Sequence, residues 1–495
     1  MLRTTSILLM CGLAIALVAC LVAPCAADDE LQKLQVGEIT ITYPTGLEAQ
    51  AKELAEAAKE VIPPRKQTFL KVRKALSDTD KVAQRITDLI RCPEDVDLAR
   101  RMLSAFGAIL DSVSGVFGDL RIYREGDVKA SGGLQEGCWR VTYDAATDKF
   151  SYELGMESAV DERAAPKSAA FPVLVQSDGT FRTTDEASLQ VFLQQVYDRF
   201  AQPVPTPVHE VTEAILRRRF NLHHPFARWF NEAAANWVML KVASEVLPGT
   251  EKECRQACLP DPEDELLRGK VNLLAWEQVE CSKQSRSEEE RALSAASYKF
   301  ATEALDRALR DQAPDTLAKI VGMLKSKPYA DTEAICGAIT EVTGTDFKSI
   351  LLEYVPKHVR EGLEQDQPKQ LLAQAKDRMR EKDYAGVVDL LTRVLEMAPC
   401  DTYARSNLAL AMRETKMPKD ESERQIKICA ELGACGGELH LELTGSDDEA
   451  HYVFARIAQF GGEKSEARKH FESALKSNPD HEDAKAALKE LGEDQ

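Results

Sequence analysis

Two stretches of this 495-residue chain, residues 375–399 and 455–479, carry one layout. A repeat restricts the fold more than any single motif. Each copy reads as two helices joined by a tight turn and closed by a proline; in the first, the turn falls at Lys382, Asp383 and Tyr384. Val387, Leu391, Val394 and Pro399 correspond to Ala467, Phe471, Ala474 and Pro479, with the same spacings of 4, 3 and 5 residues. Apolar or small residues at helical spacing need a neighbouring helix to bury them, and proline cannot continue the helix it ends.

This layout resembles the 34-residue tetratricopeptide repeat, which has small residues where its paired helices touch and a closing proline. The resemblance implies that residues 368–495 form tetratricopeptide repeats, a helical platform for a protein or peptide partner. The two copies lie 80 residues apart. Two unbroken repeats would span 68, so a middle repeat would carry ~12 extra residues, placed at 433–448. An unrelated pair of helical hairpins is the alternative.

A length of 495 residues suits about three domains. With 44% hydrophobic and 29% charged residues, the chain can build ample core. Its net charge of -18 repels phosphate backbones, so no nucleic-acid partner is expected.

The first residues read as an export signal. Arg3 precedes an uncharged apolar run over residues 6–22, acidic residues start at Asp28, and Cys25 and Ala27 are small residues suited to a cut after Ala27. Residues 1–27 are then a signal peptide. A second reading is a lipoprotein signal: Leu17, Val18, Ala19 and Cys20 resemble a lipobox, with Cys20 lipidated. Both send the protein out of the cytoplasm, to a periplasmic or extracellular site, with or without a lipid anchor. No later run is long enough to span a bilayer, so no transmembrane helix is expected in the mature chain. Twelve cysteines fit an oxidising compartment. Local candidates for pairing are Cys254, Cys258 and Cys281, and Cys429 with Cys435; buried thiols are the alternative.

Periodicity divides the rest. Residues 36–43 alternate as a strand, with Ile39, Ile41 and Tyr43 on one side. Helices are expected at 47–61, stopped by Pro63 and Pro64, then at 67–75, 78–89 and 96–117. Short β-type runs at 121–123, 138–143, 150–154 and 171–175 suggest a small sheet built on the first strand. From 186 onward the pattern is helical, interrupted by a proline-rich entry at 202–207 and a poorly periodic segment at 249–290.

His209, Glu210 and Glu213 open the helix after those prolines, with His209 and Glu213 four apart on one face. Glu232 lies on the next helix. Two ligands from one helix and a carboxylate from another can enclose a cation, and Glu210 could then take a proton from metal-bound water. This stretch resembles a gluzincin metallopeptidase of the thermolysin-like, peptidase MA superfamily. Its members carry H-E-x-x-H on one helix and a glutamate on the next, in a phrase like P-x-W-L-N-E-G; residues 225–232 here read Pro-Phe-Ala-Arg-Trp-Phe-Asn-Glu. Residues 39–57 resemble the family's opening strand and helix. Residues 297–352, with Tyr298, Lys299 and Phe300, resemble its closing helical region. The resemblance spans about 36–360 and implies zinc, with His209 and Glu232 as ligands and Glu210 as general base.

The chain departs from that pattern at two positions. Glu213 stands where the family has its second histidine, and Ala233 where it has glycine. A second carboxylate lowers the positive charge of a zinc site and so acidifies bound water less. Glu213 is therefore a doubtful ligand, with pairing to Arg217 as the alternative. His209 and Glu232 have a metal-free alternative as packing polar groups. Trp229 and Trp237 read as core, Arg217 to Arg219 as a solvated face, His223 and His224 as a solvated turn, and Tyr298 as a guess for an acid partner.

The expected architecture is α+β, predominantly α. An N-terminal lobe (28–200) carries a small sheet with helices, a gluzincin-like helical lobe follows (201–360), and the repeats come last (368–495). The expected function is that of an exported pseudopeptidase with a repeat-based protein-binding module. An active zinc peptidase with a His/Glu/Glu site is the alternative, and a plain assembly scaffold a third.

Overall fold

The computed structural model describes residues 31–493 apart from 115–116, 129–132, 137–138, 145–148, 155–169, 184–187, 201–204, 221, 223, 248, 277–287, 328–329 and 437–447. The export signal, Cys20, Cys281, His223 and most of the 433–448 insertion therefore lie outside the described residues.

The chain is 70% helical with a small mixed sheet near its N-terminus. It divides into two compact units, residues 1–82 with 100–207, and residues 83–99 with 208–495.

The first unit holds β1 (Leu31–Val36), β2 (Ile39–Pro44), α1 (Glu48–Ala75), the start of α2 (Thr79–Leu89) and most of α3 (Val96–Ser114). It continues through β3 (Asp119–Arg124), β4 (Gly133–Glu136), β5 (Trp139–Asp144), β6 (Lys149–Leu154), β7 (Phe171–Val175) and α4 (Leu189–Phe200). The main sheet runs β1-β2-β3-β7; β1 and β2 are antiparallel, the other pairs parallel. The run 36–43, expected as one strand, is instead a hairpin end: Val36 closes β1 and pairs with Ile39 of β2. Gly37, at φ 61°, permits the reversal between them. A single sheet was expected, but β4, β5 and β6 form a separate antiparallel one.

Pro63 and Pro64 do not stop the helix, contrary to the sequence expectation. α1 runs through both. Ala51, Leu54, Ala55, Ala58, Val61, Ile62 and Phe69 fall on one buried stripe that joins a core with Ile39, Ile41, Phe171 and Tyr197. Each proline removes one backbone donor, but the buried stripe on both sides favours one continuous rod. Ring contacts of 5.0 Å between Phe69 and Phe117, and of 5.2 Å between Phe117 and Tyr197, fix its far end.

The second unit opens with residues 83–99 and continues with α5 (Thr206–Phe220), which enters it at Val208, and α6 (Arg228–Glu245). Then come α7 (Glu251–Cys258), α8 (Pro262–Glu265), α9 (Glu288–Leu309), α10 (Thr316–Leu324), α11 (Thr332–Thr343), α12 (Phe347–Leu352) and α13 (Lys357–Glu364). The helix pairs follow: α14 (Gln367–Arg380) with α15 (Tyr384–Met397), α16 (Thr402–Glu414) with α17 (Lys419–Gly436), and α18 (Asp448–Phe460) with α19 (Lys464–Ser477). α20 (Glu482–Glu493) ends the series.

The first helices of successive pairs, and α20, begin at 367, 402, 448 and 482, spacings of 35, 46 and 34 residues. Val387, Leu391 and Val394 are buried, as are Ala467, Phe471 and Ala474 at the matching places. Asp383 and Asp401 cap α15 and α16 by accepting from the backbone N–H groups of Gly386 and Ala404.

Only Gln365 and Asp366 separate α13 from α14, and one core runs from Val355 and Val359 through Leu371 and Leu391 to Leu408 and Met412. Phe226 packs with Ile428 and Leu432 of α17, and Asn272 donates to the Glu396 carbonyl at 2.8 Å.

Candidate functional site

α5 buries Val208, Val211, Thr212, Ile215 and Leu216 on one stripe, which leaves His209 and Glu213 half-buried beside it. α6 is buried along most of its length, from Trp229 to Leu240. It therefore carries Glu232 (5% exposed) and Asn236 into the interior. α9 packs against α6 and presents Tyr298 and Thr302.

A chain of hydrogen bonds sets the histidine. The Thr302 hydroxyl donates to the Tyr298 carbonyl at 2.8 Å, so its oxygen is left to accept from Asn236 Nδ2 at 2.9 Å. That turns Asn236 Oδ1 towards His209 Nδ1, 2.8 Å away. An amide oxygen only accepts, so Nδ1 carries the proton. Nε2 is thereby aimed at Glu232 Oε2, 3.2 Å away.

Both carboxylates also have a guanidinium from their own helix. Arg228 Nε lies 3.5 Å from Glu232 Oε1, and Arg217 pairs with Glu213 Oε1. Glu213 Oε1 is shut from solvent and receives no hydrogen bond of regular geometry, so the contact with Arg217 is ionic. Arg228 also donates to the Tyr298 hydroxyl and lies over the Trp276 ring at 4.7 Å.

These surroundings displace the ionisations. Burial works against protonation of His209, but the hydrogen bond and charge of Glu232, with Glu210 and Glu213, outweigh it and raise its pKa. Burial, together with the charge of Glu232, raises that of Glu213 against the pull of Arg217 and His209. His209 beside Glu232 and Glu213, with Arg217 and Arg228 next to them, sets three basic side chains around two carboxyl groups.

One ligand atom each from His209, Glu213 and Glu232 lies within 4.8 Å of the others, so the fold brings the three candidate ligands together. Glu210 is exposed and stands outside that group, reaching His209 through its charge. Trp229 is core, stacked on Phe347 at 5.7 Å with its indole N–H on Thr332.

The arginine run is solvent-exposed at Arg217 and Arg218, as expected, but not at Arg219. Arg219 makes a bidentate pair with buried Asp95, at 2.5 and 2.7 Å, and Arg217 holds Glu213. His224, read as a solvated turn, is 2% exposed; its Nδ1 accepts from the Phe226 N–H at 3.2 Å. Cys254 and Cys258 are buried free thiols, each pushed by burial to a pKa of about 12.

Arg228, Asn236, Thr302 and Trp276 were not expected at the site. Arg228, Glu232 and Asn236 are four apart along one helix, a spacing visible in the sequence; what the face meets depends on α9.

The donors have the spacing for zinc, with one nitrogen and two carboxylates. Two ligands about one tetrahedral zinc sit roughly 3.2–3.4 Å apart, which the 3.2 Å between His209 and Glu232 matches. The set nevertheless has one nitrogen where a peptidase zinc site of this kind has two, and a dication would compete with two guanidiniums for both carboxylates.

Comparison with known proteins adds no relative: no family model matches the chain, and no curated protein or solved structure does.

Proposed function

We propose that this chain is an exported, peptidase-like protein that binds proteins or peptides through its C-terminal helix pairs and does not cut them. One observation carries the reading. The two carboxylates at metal-ligand positions, Glu213 and Glu232, are each held by an arginine one helical turn away on the same helix. Guanidinium groups there supply the positive charge that a metal would bring, without its ability to acidify water. On this reading the C-terminal pairs are tetratricopeptide repeats, and their exposed faces take the partner.

The test is competitive zinc titration, at one pH, of the native protein and Glu213→His. At His209, Glu213 and Glu232 the native protein is expected to bind zinc weakly or not at all. Glu213→His, with two imidazoles and one carboxylate, is expected to bind one equivalent at least ~1,000-fold more tightly, a difference of about 4 kcal/mol. Equal, tight binding by both, with peptide hydrolysis that Glu210→Gln abolishes, would instead establish an active enzyme with a His/Glu/Glu site. The specific support for that second reading is the Asn236 brace, which points Nε2 of His209 at the carboxylates.

A further inference from the structure

The last helix pair contains a second imidazole arrangement. His451 on α18 and His470 on α19 face each other with their Nδ1 atoms 3.2 Å apart. Both rings are half-buried, and Phe454 stacks on His470 with ring centroids 5.9 Å apart. The other nitrogen of His470, Nε2, lies 3.4 Å from Glu466 Oε1, one turn earlier on α19.

The repeat makes the pair informative. With the 80-residue offset that aligns Val387 with Ala467, the positions matching His451 and His470 are Leu371 and Leu390. Those leucines belong to the apolar core of the first pair, Leu371 buried and Leu390 packed against it. The same hairpin is thus closed by two aliphatic side chains in one copy and two imidazoles in the other. Packing alone does not call for the imidazoles.

We propose that His451 and His470 form a two-imidazole site for a first-row divalent transition cation, of the Ni2+, Cu2+ or Zn2+ class, clamping α18 to α19. Three features support it. Two nitrogens bound at about 2.0–2.1 Å to one ion stand roughly 3 Å apart, and the pair is already at 3.2 Å. Imidazole nitrogens select this class of ion over magnesium or calcium. Glu466 sits where a carboxylate takes the N–H of a ligating histidine, which leaves the Nδ1 lone pair of His470 facing His451. Without an ion, the same placement is a hydrogen bond from His451 Nδ1–H to His470 Nδ1. The site is independent of His209, and water would complete its coordination.

The experiment is Ni2+ titration of the full chain, with thermal unfolding at each end point. The native protein should bind one equivalent and unfold at a higher temperature with Ni2+ present. His470→Leu, which restores the residue of the first copy and so keeps the packing, should lose both the equivalent and the temperature rise. Glu466→Gln should still bind, about 10- to 100-fold more weakly. His209→Gln should leave the Ni2+ equivalent in place. Equal Ni2+ binding by the native protein and His470→Leu would overturn the proposal, and so would a native protein that takes up no Ni2+.

Discussion

Two of the places where imidazole nitrogens meet acidic side chains differ in what surrounds them. At His209 the carboxylates come inside with the histidine, and arginines four residues away pair with them. At His451 and His470 the imidazoles face each other, and the one acidic partner, Glu466, lies behind His470. The first arrangement supplies its own positive charge. The second leaves two imidazole nitrogens at a spacing that an ion can bridge. The contrast teaches that a ligand-like cluster is judged by its charge balance as well as by its distances.

The largest stability effect should follow loss of Arg228. Glu232 is almost fully buried, so Arg228→Met leaves it short of positive charge and should cost about 3 kcal/mol. If a guanidinium stands where a metal would, zinc should stabilise Arg228→Met more than it stabilises the native protein. Denaturant unfolding with and without zinc reads both. An unchanged native-like stability in Arg228→Met would mean that His209 alone balances Glu232, and the two imidazole sites would then differ less than their geometry suggests.

A smaller loss is expected from Asp95→Ala. Asp95 is 2% exposed and takes both ends of the Arg219 guanidinium, 124 residues away in sequence and on the same helix as His209. Arg219 is partly exposed and can recover water, so the expected cost is about 1–3 kcal/mol rather than the full value for a buried pair. The same variant should loosen the His209 helix while leaving Ni2+ binding at His451 and His470 intact. Hydrogen exchange over α5, read beside Ni2+ affinity, checks that separation.

The smallest effect concerns acid. Asp483, at the start of α20, is partly buried, which opposes its ionisation. Hydrogen bonds from Lys419 and Arg413 outweigh this and hold its pKa below the usual carboxylate value. Its contribution to stability is therefore present above the unfolded value, roughly pH 4, and lost as pH falls through the lower folded value. Native protein should be more stable than Asp483→Asn above about pH 4, with the difference shrinking at more acidic pH. A difference that instead grew on acidification would show that burial dominates at Asp483.

Much was legible in the sequence because it depends on local period. The helices from Thr206 to Phe220 and from Arg228 to Glu245 follow from apolar spacing, and His209 and Glu213 share a face because 3.6 residues make a turn. The matched spacings of the two hairpins reappear as matched buried residues. Local rules misled where the remainder of a buried face outweighed them. Pro63 and Pro64 lie within a helix because Val61 and Ile62 before them and Phe69 after them share one core. The run 36–43 divides because Gly37 turns the chain.

The sequence by itself determined the predominance of helix, the hairpin repeat and the shared face of His209 and Glu213, since each rests on spacings within one helix or hairpin; that Glu232 joins them depends on the packing of two helices. Only the tertiary structure decided which partners complete that cluster. Asn236 sets the histidine because Thr302, 66 residues on, has its proton committed to the Tyr298 carbonyl. Asp95 meets Arg219 because residues 83–99 fold with the second unit. His451 meets His470 because α18 and α19 pack together. A hydrogen bond or ion pair acts over about 3 Å whatever the number of residues between its partners, and folding alone sets that distance.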